Sequence, residues 1–198
     1  MIKIIKKDIP VICEKPLSCS TNEVSEIVDV LKEKNGFLSV TYNYLGYPII
    51  RELKHMIRKG VFGEIIHIQI EMPQEGFIKV NQKHEPIIPK QWRLSDGTIP
   101  TLSLDLGVHL HILVKYLTDQ TPMKVVAVNE SLGNFSEIID NINCIVEYTK
   151  NFICHFWYSK IALGHRNGLK IRIYGQKASA EWVQEFPENL NLSYANGK

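Results

Sequence analysis

Apolar residues recur in two different rhythms on either side of Asp119, and any fold for this chain has to accommodate both. Beyond Asp119 come short β-rich runs at 123–129, 141–149, 152–159, 169–174 and 178–183, with Asn151 and Gly175 placed between neighbours where turns are needed. Short strands at such close spacing indicate an antiparallel sheet.

Before Asp119, strands alternate with helices. Residues 10–14 form a β-branched apolar run stopped by the breaker pair Lys15-Pro16, which predicts a short buried strand. Ser20 or Thr21 then offers an N-cap, with Glu23 at capping-box spacing from Ser20. Val24, Ile27, Val28 and Leu31 follow as one apolar stripe that Gly36 ends. Residues 37–42 alternate as a second strand. Over 48–59, Ile49, Ile50, Leu53, Met56 and Ile57 recur at helical spacing and Gly60 closes the helix. Residues 64–72 predict a strand with Ile66, Ile68 and Ile70 on one face and His67, Gln69 and Glu71 on the other. Four of the nine prolines fall within 73–100, which predicts a long surface loop. Residues 101–117 return to helix, with Leu102, Leu106, His109, Leu113 and Leu117 near one face.

At 198 residues and 44% hydrophobic, the chain has material for a real core. Its net charge of +2 is spread along the sequence, so no polybasic block points to nucleic acid or an anionic membrane. No apolar run reaches the roughly 18 residues of a membrane span. The N-terminus alternates Ile with Lys where a signal peptide would be apolar, so a cytoplasmic protein is expected. Cys13, Cys19, Cys144 and Cys154 lack paired C-x-x-C spacing and predict reduced, buried structural thiols, with no zinc site.

Two motifs carry chemistry. Glu14-Lys15-Pro16 stands at the carboxyl end of a predicted strand, where open α/β sheets bind ligands, and Lys15 there can donate to a substrate hydroxyl or a cofactor ribose. An exposed lysine beside a proline-enforced turn is the plainer alternative. Asp105-Leu-Gly-Val-His109 puts carboxylate and imidazole four apart on one helix, so that Asp105 would fix the tautomer of His109 and raise its basicity. An ordinary surface pair explains the same spacing. Gly107 between them implies close approach of another group to the backbone. His111, two residues on, faces elsewhere. Trp92 and Arg93 offer an aromatic face and a fork of donors to a sugar, or anchor a loop, while His165-Arg166-Asn167 supplies donors or forms a polar turn.

Glu14-Lys15-Pro16, Asp105-x-Gly107-x-His109 and the helix end Lys59-Gly60-x-x-Gly63-Glu64-Ile65, in this order, resemble the Gfo/Idh/MocA family of oxidoreductases. Thr41-Tyr42-Asn43, Gln91-Trp92-Arg93 and Arg166-Asn167-Gly168-Leu169 add to the resemblance, which runs over about 11–183. It implies an α/β remnant of a Rossmann domain over 1–45, followed over 46–198 by an α+β domain whose open, mainly antiparallel sheet forms the oligomer interface. By position it implies that Lys15, Asp105 and His109 are catalytic, with Asp105 the partner of Lys15 across the cleft and His109 the general acid/base. Glu14, Lys15 and Pro16 would meet an NAD or NADP cofactor, and Tyr42, Asn43, Trp92, Arg93 and His165 a sugar or polyol; no metal is used.

The sequence also departs from the family. None of its twelve glycines form an i,i+2 pair, so the Gly-x-Gly-x-x-Gly turn that seats a pyrophosphate is missing. Residues 1–8 would match the tail of a helix inside the Rossmann domain, which places roughly two βα units of about 30 residues each upstream. Leu45 and Ile112 stand where many members carry arginine and aspartate. The expectation is therefore a dehydrogenase impaired or inactive as this chain. The alternatives are a non-catalytic ligand-binding or dimerisation module, and a gene fragment without selected function.

Overall fold

The computed structural model describes residues 1–197, so the last position of the expected second region, Lys198, lies outside the described residues. A short helix α1 (Ile2–Ile5) leads into β1 (Val11–Glu14), helix α2 (Thr21–Lys34) and β2 (Leu38–Thr41). β1 and β2 pair in parallel, Val11 opposite Leu38 and Glu14 opposite Thr41. Ser20 caps α2 by accepting from the Glu23 amide at 3.2 Å, but the Glu23 carboxylate accepts from the Ser18 hydroxyl and leaves the box half closed.

Helix α3 (Pro48–Arg58) begins with Pro48 in its first turn and ends before Gly60, whose φ of 72° is the left-handed conformation that glycine adopts without strain. It packs on α4 (Val108–Thr118). Ile50, Leu53, Leu110, Leu113 and Val114 are buried along this contact.

The second sheet has seven strands in the order β4-β5-β6-β3-β7-β8-β9, built from β3 (Ile65–Pro73), β4 (Pro122–Glu130), β5 (Asn141–Tyr148), β6 (Ile153–Ser159), β7 (Lys170–Gly175), β8 (Ala178–Val183) and β9 (Leu190–Tyr194). It is open and mainly antiparallel, as expected. Its single parallel pair is β3 with β6, which the spacing of the later runs did not indicate. Residues 190–194 were not foreseen as a strand, because Pro187 and the polar residues around it interrupt the apolar alternation.

One face of the sheet carries Ile68, Ile70, Met72, Cys154, Phe156 and Ile171 against the helices, all buried. The opposite face is uncovered at β4 and β5, where Val126, Val128 and Ile145 are exposed. Ile66 does not join Ile68 and Ile70 on the buried face. The β3–β7 register shifts between Ile65 and His67, and the bulge turns Ile66 out to solvent at 55% exposure.

The proline-rich stretch 73–100 follows an irregular course, holding a bridge between Val80 and Pro86 and a 3-10 turn at Gln91–Leu94. No helix among the described residues is long and apolar enough to cross a membrane. All four cysteines are free, but only Cys154 is buried; Cys19 is exposed, so burial accounts for one thiol and not for the set.

Candidate active site

Four separate segments deliver charged groups to one point. Lys15 directly follows β1 and precedes a cis bond to Pro16, and its ammonium donates to the main-chain oxygen of Asp105 at 2.6 Å and to Oδ1 at 3.1 Å. Arg93, in the 3-10 turn, donates through Nε to Oδ2 of Asp105 at 3.0 Å. Lys160, the residue after β6, reaches the same Oδ2 at 3.0 Å. Three cations thus surround one buried carboxylate and leave the cluster net positive. Burial raises the proton affinity of Asp105, but Lys160, Lys15 and Arg93 outweigh it and hold the carboxyl at about 2.

Lys160 was not foreseen from the sequence. The parallel β3–β6 register ends with Pro73 opposite Ser159, so Gln74 and Lys160 leave the sheet side by side. Lys160 donates to Gln74 Oε1 at 2.9 Å. Its ammonium lies 5.5 Å from the centre of the Phe77 ring. Burial lowers its pKa, and Asp105 works in the opposite direction. A lysine directly after an apolar strand was the signal, the same signal that singled out Lys15.

Asp105 and His109 do not form the expected hydrogen-bonded pair. Residues Ser103–Gly107 form a π-helical turn, closed by the Val108 amide on the Ser103 carbonyl, and the wider turn alters the i,i+4 overlap of a regular helix. Both carboxylate oxygens are taken by cations, and Nδ1 of His109 is buried without a partner among the described residues. Gly107 lets Tyr158 approach the turn closely. A Cβ there would lie 3.1–3.2 Å from the ring and hydroxyl of Tyr158, which itself meets the Ser103 hydroxyl at 3.1 Å.

His109 is held edge-on to Tyr44, with ring centres 4.8 Å apart, and lies 6.4 Å from the Tyr42 ring. Burial, then the Lys15 charge, lowers its pKa to about 4, while Asp105 and Glu14 offset part of the shift. The imidazole is neutral near pH 7, and Asp105 does not raise its basicity to the degree the spacing suggested. Tyr44, also missed, is fixed by Asn167, whose amide donates to its hydroxyl at 2.9 Å.

Lys15, Tyr42, Arg93, Asp105 and His109 therefore belong to one cluster. Pro16 lies half-buried beside it. Glu14, Asn43 and His165 are exposed. Trp92 is 51% exposed, and its ring lies 4.6 Å beneath the Arg93 guanidinium. Two concavities open beside the cluster. An apolar one of about 360 Å³ lies among Tyr42, Ile99, Gly107, His111 and Tyr158. A polar one of about 380 Å³ lies among Gln74, Phe77, Lys79, Arg93, Lys160 and Arg166.

Residues 50–181 match the model of the GFO/IDH/MocA C-terminal domain. This chain belongs to the GFO/IDH/MocA family. An uncharacterised oxidoreductase of Bacillus subtilis, YfiI, is 26% identical over 190 residues, spanning 94% of this chain and 48% of the relative. Levoglucosan dehydrogenase of Pseudarthrobacter phenanthrenivorans is 20% identical over 209 residues, 94% of this chain and 52% of that enzyme. Among solved structures, an inositol dehydrogenase homolog of Azotobacter vinelandii, complexed with NADH and myo-inositol, superposes with a TM-score of 0.87 at 25% identity. The superposition covers all of this GFO/IDH/MocA chain and 50% of that one. The chain spans about half the length of these relatives.

Proposed function

We propose that this chain carries the substrate-binding and acid/base part of a nicotinamide-dependent dehydrogenase that interconverts a sugar or polyol hydroxyl and a carbonyl. The observation behind this reading is a neutral, buried His109 with an unpartnered nitrogen beside a carboxylate ringed by three cations. The relatives that are sugar and polyol dehydrogenases support it.

The fit to NAD or NADP is partial. Lys15 at the carboxyl end of a parallel strand suits the nicotinamide end, with Glu14 and Pro16 flanking it. The chain holds no i,i+2 glycine pair to seat the pyrophosphate. A nicotinamide held there by Lys15, Glu14 and Pro16 would supply hydride-transfer chemistry. His109 takes the hydroxyl proton as the carbonyl forms and gives it back in reduction. Lys15 and the excess positive charge around Asp105 stabilise the oxygen as its negative charge develops. Tyr42 and Tyr44 exclude water from His109. Trp92, Asn43 and His165, at the rim, contact the remainder of the sugar.

The same reading divides the chain into a Rossmann-like segment over 1–45 and a substrate and oligomerisation domain over 46–198. A second copy would cover the exposed face at β4 and β5, and the protein would work in the cytoplasm. The test is to follow nicotinamide absorbance with millimolar NAD⁺ or NADP⁺ and a panel of polyols. Turnover that disappears in His109→Ala but persists in His111→Ala is expected; equal loss in both removes the role given to His109.

A further inference from the structure

The polar concavity holds more positive charge than a neutral sugar requires. Lys79, Arg93, Lys160 and Arg166 line it, against Glu75 as the one carboxylate among its lining residues. Glu75 pairs with Lys79 at 2.8 Å, and Asp105 behind the wall is shared by Lys15, Arg93 and Lys160. Arg166 makes no ion pair among the described residues. The lining therefore sets four cations against one carboxylate, and two of the four, Arg93 and Lys160, share Asp105 behind it.

The donors are also underused. An ammonium has three N–H groups and a guanidinium five. Lys160 is 4% exposed, and its recorded acceptors are one oxygen of Gln74 and one of Asp105. Arg93 engages Asp105 through Nε alone. A buried ammonium whose desolvation is already complete is a strong partner for an anion, because the interaction is weakly screened. Phe77, itself buried, and Pro89 give the same concavity an apolar side on which the C–H face of a sugar ring rests.

We infer that this concavity receives a carboxylate, and that the ligand of the site is a sugar acid held by Lys160, Arg93 and Arg166. The planar fork of Arg166 suits a carboxylate bidentately, and Arg93 and Lys160 join the concavity to Asp105. That this ligand is the substrate rests on the dehydrogenase reading; that it binds does not.

Calorimetry on the full chain without cofactor separates the two. D-glucuronate is expected to bind at least about tenfold more tightly than D-glucose, the effect of one charge-assisted hydrogen bond. Arg166→Ala and Arg166→Gln, both at an exposed position, should remove that preference while leaving the weak binding of glucose in place. Equal binding of acid and neutral sugar, a preference that survives both substitutions, or no binding of glucuronate would each overturn the inference. Inorganic phosphate or glucose 6-phosphate binding as tightly as glucuronate would overturn the carboxylate assignment as well. Failure of the nicotinamide assay overturns the dehydrogenase reading alone.

Discussion

Lys160 donates to Oδ2 of Asp105 at 3.0 Å with both side chains more than nine-tenths buried, so one strand end and one helix start are joined through charge. Lys160→Met should leave Gln74 without its donor and reduce the cation count around Asp105 from three to two. Removing one partner of a buried pair costs about 3 kcal/mol or more. Urea unfolding at neutral pH measures it, and an unchanged midpoint would mean that Lys15 and Arg93 suffice.

Stability should fall with acid in a window set by His109. The unfolded imidazole protonates near 6.5, whereas the folded one stays neutral down to about 4, so protons bind the unfolded state preferentially between these values. The stabilisation is complete above pH 6.5 and about 3 kcal/mol is lost by pH 4, at roughly 1.4 kcal/mol per unit. His109→Gln should flatten the curve of unfolding free energy against pH over that interval. Asp105 acts lower: its contribution is present above 3.8 and disappears only as pH approaches about 2.

Gly107→Ala tests the close approach of Tyr158. The added methyl must displace a ring 3.1–3.2 Å away, and that ring is held by Ser103. A loss of about 1–3 kcal/mol is expected from overpacking, read as a lower melting temperature. Tyr158→Phe combined with Gly107→Ala should recover little, since the ring and not the hydroxyl alone blocks the space.

Val126→Glu addresses the exposed face. Val126 sits opposite Ile145 on neighbouring strands, and both are more than half exposed. If a second copy covers this face, sedimentation of the parent chain should give a dimer or larger species and the variant a monomer. A parent chain that sediments as a monomer at tens of micromolar removes the interface.

Local periodicity made most of the fold legible. The helices around Ile27 and Leu53 and the strands around Ile68, Ile142 and Ile171 follow from which residues had to be buried. What was hidden depends on pairing across long separations. The parallel contact of β3 with β6 leaves no mark in either strand's own pattern, and it is this contact that brings Lys160 to Asp105. At the site, Lys15, Asp105 and His109 were readable as motifs, and the pairing of Lys15 with Asp105 that the resemblance implied is present at 3.1 Å; the separation of Asp105 from His109 was not readable. The spacing of Asp105 and His109 assumes a regular helix, and Ser103–Gly107 winds as a π turn. Gly107 was read correctly as a point of close approach, without any means of naming Tyr158.

The parallel step from β3 to β6 has a consequence for how such a protein diversifies. Because Pro73 and Ser159 end level with each other, the segments that follow both strands leave from the same rim. Insertions or replacements after either strand change the wall of the polar concavity while the buried residues beneath, Ile68, Ile70 and Phe156, keep their neighbours. Ligand choice and foldability are thereby assigned to different stretches of chain.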